Sequence, residues 1–243
     1  MSLFQDSSIV NLIEMVLVMG IDELELADTR RILEWTFQTF GQERVALSSA
    51  FGPSGVVLMH LTSQVAPGAR VFFVDTGYHF AETLALGEQL QARMNLRIEI
   101  VQPALTVVEQ AERFGADLFR TDPDKCCALR KVAPTQRVLR GLDAWIGALR
   151  RDQGETRART PVYETKLVDG RPVAKVSPMV RWTNKDIWGH ILAHDLPYNP
   201  LHDQDYPSVG CEPCTRPVTI GGGERDGRWA GTGKTECGLH TLL

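Results

Sequence analysis

The feature that most constrains this chain is an alternation of short β-rich runs with apolar helical stretches that begins near residue 45. Residues 45–47 (Val-Ala-Leu) are β-rich, a Ser/Gly/Pro loop follows over 48–55, and an apolar helix is predicted over 56–61. The unit repeats, with a strand predicted at 71–74, a loop at 75–79, a helix at 80–94 and a third strand at 96–101. Strands joined through helices run parallel, so the expected fold class is α/β with a doubly wound, mainly parallel sheet. In such sheets ligands sit outside the carboxyl ends of the strands, where Ser48, Ser49 and Asp75 fall.

On either side of this unit the pattern is looser. Residues 1–42 alternate apolar and charged positions at helical spacing, with Leu33, Trp35, Phe37 and Phe40 late in the run, and read as two or three helices leading into the sheet. Beyond Pro103 come a helix near 107–114, the pair Cys126-Cys127, another helix, a strand at 144–149, an arginine-rich loop, and a helix at 183–193 that starts near Thr183 or Asn184. Glycine is abundant from Gly210 onward. The length of 243 residues suits one α/β domain over 1–219, with 220–243 as a flexible tail.

A net charge of −4 argues against nucleic acid or an anionic membrane as partner, while the local density of Arg150, Arg151, Arg157 and Arg159 suits a small anionic ligand. The most apolar N-terminal stretch, 9–21, is interrupted by Asn11 and Glu14, has no basic residue ahead of it, and falls short of the roughly 20 residues a membrane span needs. Neither secretion nor insertion is expected, and the cytoplasm is the expected compartment. Five cysteines are an odd number, and without a signal peptide their pairing favours metal or catalytic use over disulfides.

Two cysteine pairs, Cys126-Cys127 and Cys211-Glu212-Pro213-Cys214, match the ligand count of structural zinc or of an iron-sulfur cluster. Zinc knuckles usually separate paired cysteines by a few residues, so the contiguous pair leans toward iron-sulfur; four buried free thiols are the plain alternative. The 48–55 loop joins a strand to a helix, where free amides and the helix dipole favour an anion, yet it lacks the Gly-Lys-Ser/Thr ending of a Walker A loop. A serine-capped helix start without a ligand fits the same residues. Lys125, Arg130 and Lys131 flank the cysteine pair, and as a group with Arg150, Arg151 and Arg157 they suit phosphate or sulfate; singly, each has the base rate of a solvated charge. Cys237 stands alone in the glycine-rich tail. It is either a nucleophile activated by Lys234, His240 or the arginines, or an inert exposed thiol.

Three segments are specific enough to carry a resemblance: Lys125-Cys126-Cys127-Ala128-Leu129-Arg130-Lys131-Val132-Ala133-Pro134, Tyr206-Pro207-Ser208-Val209-Gly210-Cys211-Glu212-Pro213-Cys214-Thr215-Arg216, and Glu236-Cys237-Gly238-Leu239-His240. Val74-Asp75-Thr76-Gly77-Tyr78, Arg150-Arg151-Asp152-Gln153 and Pro200-Leu201-His202-Asp203 support them. From about Val45 to His240 the chain resembles the assimilatory adenylylsulfate (APS) and phosphoadenylylsulfate (PAPS) reductases, in the bacterial branch that carries an iron-sulfur cluster. The resemblance implies an adenine nucleotide α-hydrolase-like fold and a [4Fe-4S] cluster on Cys126, Cys127, Cys211 and Cys214. It also implies that Cys237 attacks the sulfur of the sulfonucleotide, releasing AMP and leaving an S-sulfocysteine from which thioredoxin frees sulfite. Ser48, Ser49, Asp75, Thr76 and Gly77 would hold the nucleotide, and Lys131, Arg151, Arg157, Arg225 and Arg228 its phosphate and sulfate groups. Lys131 would bridge cluster and substrate.

The loop after Phe51-Gly52 lacks the acidic residues of relatives, and the tail after Gly227-Arg228-Trp229 lacks their run of tryptophans. No thioredoxin-like domain follows His240, so the reductant is expected to be a separate protein; an assembly of identical copies is left open. The cluster motif points to APS, with a PAPS or dual-substrate reductase as the alternative. A zinc-stabilised, non-catalytic nucleotide-binding module with an incidental Cys237 is the alternative from another class.

Overall fold

The computed structural model describes residues 20–241 apart from Ile220, Ala230 and Thr235; the helices expected before residue 20 lie outside the described residues, as does the side chain of His240. Six strands, β1 (Val45–Ser48), β2 (Arg70–Val74), β3 (Arg97–Val101), β4 (Ala144–Ile146), β5 (Tyr163–Val168) and β6 (Arg171–Val176), form one sheet in the order β3-β2-β1-β4-β6-β5. All neighbours run parallel except β5 and β6, and Leu47 lies opposite both Val71 and Ile146 at the centre. After β1 the chain builds outward through β2 to β3, then returns to lay β4 on the other flank of β1. That reversal opens a crevice at the carboxyl ends of β1 and β4.

Period-two alternation divides the core between the two sheet faces. Val45, Leu47, Val71, Phe73, Ala144, Ile146, Ala174 and Val176 pack on one side with α2 (Thr29–Phe40), α3 (Pro53–Val65), α4 (Ala81–Arg93) and α9 (Asn184–Ala193). The intervening Ala46, Phe72, Trp145 and Val173 pack on the other side against Leu139 of α8 (Ala133–Leu139) and Leu142. Shorter helices complete the chain: α1 (Ile21–Leu24), α5 (Val107–Phe114), α6 (Leu118–Thr121), α7 (Pro123–Cys127) and α10 (Gly238–Thr241). Between α7 and α8 the helical path widens into a π turn over Ala128–Val132. Pro134 follows directly and brings no N–H to the ladder, which favours such a local change of pitch.

Three departures from the sequence reading have local causes. The β5–β6 hairpin turns at Asp169-Gly170, both at positive φ, an Asp-Gly hairpin signal that strand periodicity alone passed over. The strand expected at 144–149 leaves the sheet after Ile146, freeing the next residues for the crevice. The helix expected at 56–61 runs from Pro53, where proline fits the first turn because its missing N–H has no partner there. No described helix is long and apolar enough to cross a membrane.

Candidate active site

The crevice holds a cavity of about 260 Å³ whose floor is the β1–α3 loop, with Ser48, Ser49 and the first turn of α3 lining it. The hydroxyl of Ser49 accepts from the Phe51 amide at 3.1 Å, and Phe51, at φ 58°, stacks on Phe73 at 4.6 Å, which fixes the loop against the core. Gly55 makes the hydroxyl's position tenable, since a Cβ there would lie 2.6 Å from Ser49 Oγ. Trp145 Nε1 donates to Ser48 Oγ at 2.6 Å, so the ends of β1 and β4 are tied across the switch point. Amide groups at the start of α3 and the dipole of that 13-residue helix make this end of the cavity suited to an anion.

The cavity is also lined by Arg150, Lys131, Arg157, Arg225, Arg228 and the half-buried Cys237. Arg150 is committed: it is 1% exposed, donates to Asp152 and Glu224, and reaches Ser54 Oγ. Arg157 donates to both oxygens of Glu236 at 2.9 Å, and Arg225 adds a third bond at 2.8 Å. Burial would raise the Glu236 carboxyl, but the bonds and charge of Arg157 outweigh it and bring it to about 2. Arg228 is the less satisfied cation. Its Nη1 reaches Ser208 at 3.3 Å, and its buried Nε has no hydrogen-bond partner among the described residues. Gly210 admits that guanidinium, because a Cβ would sit 2.1 Å from Nη2.

The tail is seated by several contacts. Arg216 and Gly227 share a backbone bond of 2.8 Å, Trp229 N donates to the Cys214 carbonyl at 2.9 Å, and the indole carries Arg228 at 4.7 Å and Arg225 at 5.4 Å on its ring. Lys234 pairs with Asp124 of α7, and α10 packs on the π turn, so the segment around Cys237 lies over the cysteine-pair helix.

A second, smaller cavity of about 10 Å³ is lined by all four paired cysteines together with Tyr78, Phe119, Pro213 and Trp229. Cys126, Cys127 and Cys211 are buried and Cys214 is half-buried; no cysteine forms a disulfide. Burial, then the charges of Cys127, Cys211 and Cys214, push the Cys126 thiol up to about 12; burial and Cys211 push Cys214 up to about 11. Cys211 goes the other way. Its burial is outweighed by Lys131, by Thr76 Oγ1 at 3.3 Å and by Arg228, which together lower it. Among the described residues no three His, Cys, Asp or Glu side chains converge as ligands of a single metal ion. The thiols surround a small volume instead.

Lys131 lines both cavities. Burial would depress its ammonium, but the electrostatic pull of Cys211, Cys237 and Cys127 outweighs burial and holds it above the usual lysine range. The π turn places it there, one helical turn from the cysteine pair.

The structure thus gathers Ser48, Ser49, Lys131, Arg157, Arg225, Arg228 and Cys237 around one cavity, but not the other residues named for the nucleotide. Arg151 turns away, donating to Glu25 and to the Thr160 carbonyl, both at 2.8 Å. Asp75, Thr76 and Gly77 do not line the crevice: Asp75 accepts from the Gly77 amide, Thr76 touches Cys211, and the buried Arg130 donates to the Thr76 carbonyl. Arg130 also holds Gln110 at 3.1 Å and is a structural tie, while Lys125 lies over the Phe114 ring at 4.1 Å. Sequence reasoning passed over His79, Trp145, 147–149, Lys175 and Glu224 as cavity residues; only the end of β4 at a strand reversal could have signalled them.

Fold and crevice together define a doubly wound α/β protein with a cation-lined crevice at its switch point, suited to an anion. Residues 44–217 match the model of the phosphoadenosine phosphosulfate reductase domain, and the chain belongs to that family. It is 48% identical over 210 residues to the adenosine 5'-phosphosulfate reductase of Geobacillus thermodenitrificans, covering 86% of this chain and 88% of the relative. It is 45% identical over 218 residues to that of Halalkalibacterium halodurans, covering 89% and 93%. A crystal structure of phosphoadenylyl-sulfate reductase from Candida auris, in a phosphate complex, superposes with a TM-score of 0.68 at 26% identity over 89% of this chain and 99% of that one. An FMN adenylyltransferase of Candida glabrata shares the fold, with a TM-score of 0.58 at 16% identity over 86% of this chain and 71% of that one.

Proposed function

We propose that this chain is a cytosolic, thioredoxin-dependent adenosine 5'-phosphosulfate reductase with Cys237 as nucleophile. The observation that carries the reading is that Cys237 lines the same cavity as the Ser48-Ser49 loop and the cations Lys131 and Arg228. The names of its relatives agree.

The β1–α3 loop and the start of α3 bind the nucleotide's phosphate end, and Lys131 and Arg228 hold the sulfate against Cys237. The thiolate forms a bond to the sulfate sulfur as the sulfur–oxygen bond to the α-phosphate breaks. AMP leaves with that electron pair and the enzyme keeps an S-sulfocysteine. Lys131 and Arg228 offset the charge gathering between thiolate, sulfate and phosphate. A thioredoxin thiolate then attacks Cys237 Sγ and expels sulfite. A second thioredoxin thiol resolves the mixed disulfide, so thioredoxin loses the two electrons that the sulfur gains.

The donor set of the second cavity fits a [4Fe-4S] cluster. Four thiols line one cavity, the number of ligands such a cluster takes. Cys126, Cys127, Cys211 and Cys214 would hold it, and when bound it supplies a polarisable charged centre beside Lys131 without exchanging electrons with the substrate.

The test is sulfite release from APS and from PAPS, side by side, by anaerobically purified protein with thioredoxin and a reducing system, with iron and sulfide assayed in parallel. Turnover of APS by iron-bearing protein, with little on PAPS, is expected. Comparable rates make it a dual-substrate enzyme. No turnover of either, with zinc in place of iron, overturns the reading in favour of a nucleotide-binding module.

A further inference from the structure

The carboxylate beside the nucleophile has an environment that binding of substrate does not require. Glu236 is 6% exposed and receives five hydrogen bonds. Arg157 supplies a two-pronged pair at 2.9 Å, Arg225 a bond of 2.8 Å, Thr156 Oγ1 one of 3.2 Å, and the Cys237 amide one of 2.7 Å. The donors come from the loop after β4 and from the tail itself. Two of the cations in the crevice are therefore neutralised by the chain's own tail, through the residue that precedes the half-buried Cys237.

We propose that Glu236 is a positioning residue, a latch whose ion pairs with Arg157 and Arg225 hold Cys237 in the crevice for attack. The proposal rests on the reading of Cys237 as nucleophile. Its physical basis is that a carboxylate held by five hydrogen bonds, three of them from the guanidinium groups of Arg157 and Arg225, has one low-energy position, and the Cys237 amide is bonded to that same carboxylate. The contact keeps the thiol in the cavity that Lys131 also lines. With Arg157 and Arg225 so engaged, Lys131 and Arg228 are the cations left for the substrate's sulfate.

Labelling of Cys237 by iodoacetamide, a small uncharged reagent, reports the latch without requiring turnover. The full-length protein is purified anaerobically and the modified peptide is quantified by mass spectrometry. Rates are compared on the high-pH plateau, where the thiol is ionised in every variant and only access differs. E236Q is expected to label roughly tenfold faster than the unmodified protein. Added salt is expected to speed labelling of the unmodified protein, by screening reclosure, and to leave E236Q unchanged. E236D, which keeps the charge on a shorter arm, falls between them.

In turnover, kcat of E236Q falls by roughly tenfold to a hundredfold, the scale of a misplaced reacting group, while KM does not rise because two arginines have been freed. Equal labelling rates with equal salt response in E236Q and the unmodified protein overturn the proposal, as does a raised KM at unchanged kcat. Should E236Q fail to fold, salt-insensitive labelling of the unmodified protein overturns it. Absence of sulfite production from the unmodified protein defeats the functional reading alone, since the labelling comparison stands apart from it.

Discussion

The two cavities that Lys131 joins are built on opposite principles. The crevice, about 260 Å³, is assembled from loops at the strand ends, and among the described residues its cations are matched by carboxylates except at Lys131 and Arg228. The cysteine cavity, about 10 Å³, is closed by aromatic rings and holds four thiols whose charged forms repel one another. The first offers positive charge to an anion; the second gathers like groups whose joint ionisation needs positive charge among them. Lys131 lines both.

Breaking the crevice side alone has the largest expected effect. Cys237→Ser lowers sulfite production by more than about 1,000-fold, the scale of removing a nucleophile, while iron content and nucleotide affinity stay as in the parent. Sulfite assays with metal analysis check this, and retained turnover removes Cys237 from its role. Breaking the other side comes next. Cys127→Ser loses iron and sulfide, measured by colorimetric analysis and the visible spectrum, and an intact cluster spectrum refutes the ligand assignment. Lys131→Met touches both cavities, and kcat/KM is expected to fall by roughly a hundredfold with the iron content retained. A fall no larger than that of an ordinary surface lysine would mean that the two cavities work independently.

The smallest effect comes from a region outside both. His60 Nδ1 lies 2.9 Å from His190 Nε2 where α3 meets α9, and the His194 ring is 4.3 Å from that of His190. Burial, then His194 and His60, lower His190 to about 4, against about 6.5 in an unfolded chain. The unfolded state therefore binds its proton first. Stability from this cluster is complete above about pH 6.5 and is lost as pH falls toward about 4. Melting temperatures across that window should drop in the parent and drop less in His190→Gln. An identical acid response in both would place the sensitivity elsewhere.

Much of the scaffold was legible in local pattern. Val45, Leu47 and Val71 alternate with Ala46 and Phe72, and that period of two already assigns opposite sheet faces. The paired cysteines and the lone Cys237 stood out because cysteine is rare and its spacing carries chemistry. The arginines did not resolve in the same way. Arg151 and Arg157 lie six residues apart in one loop, yet one reaches Glu25, 126 residues away, and the other Glu236, 79 residues away.

By itself the sequence determined the α/β class, and it singled out the strand ends and the cysteines as the candidates for binding and chemistry. Each of those is written in neighbouring residues, through periodicity, turn-forming residues and spacing. Only the tertiary structure decided which cations meet a partner carboxylate, which face Asp75 to Gly77 serve, and that Lys131 stands between two cavities. Electrostatic partnership depends on distance and burial in space, and in this fold those are set by segments that meet only once the strand order has reversed and the tail has docked.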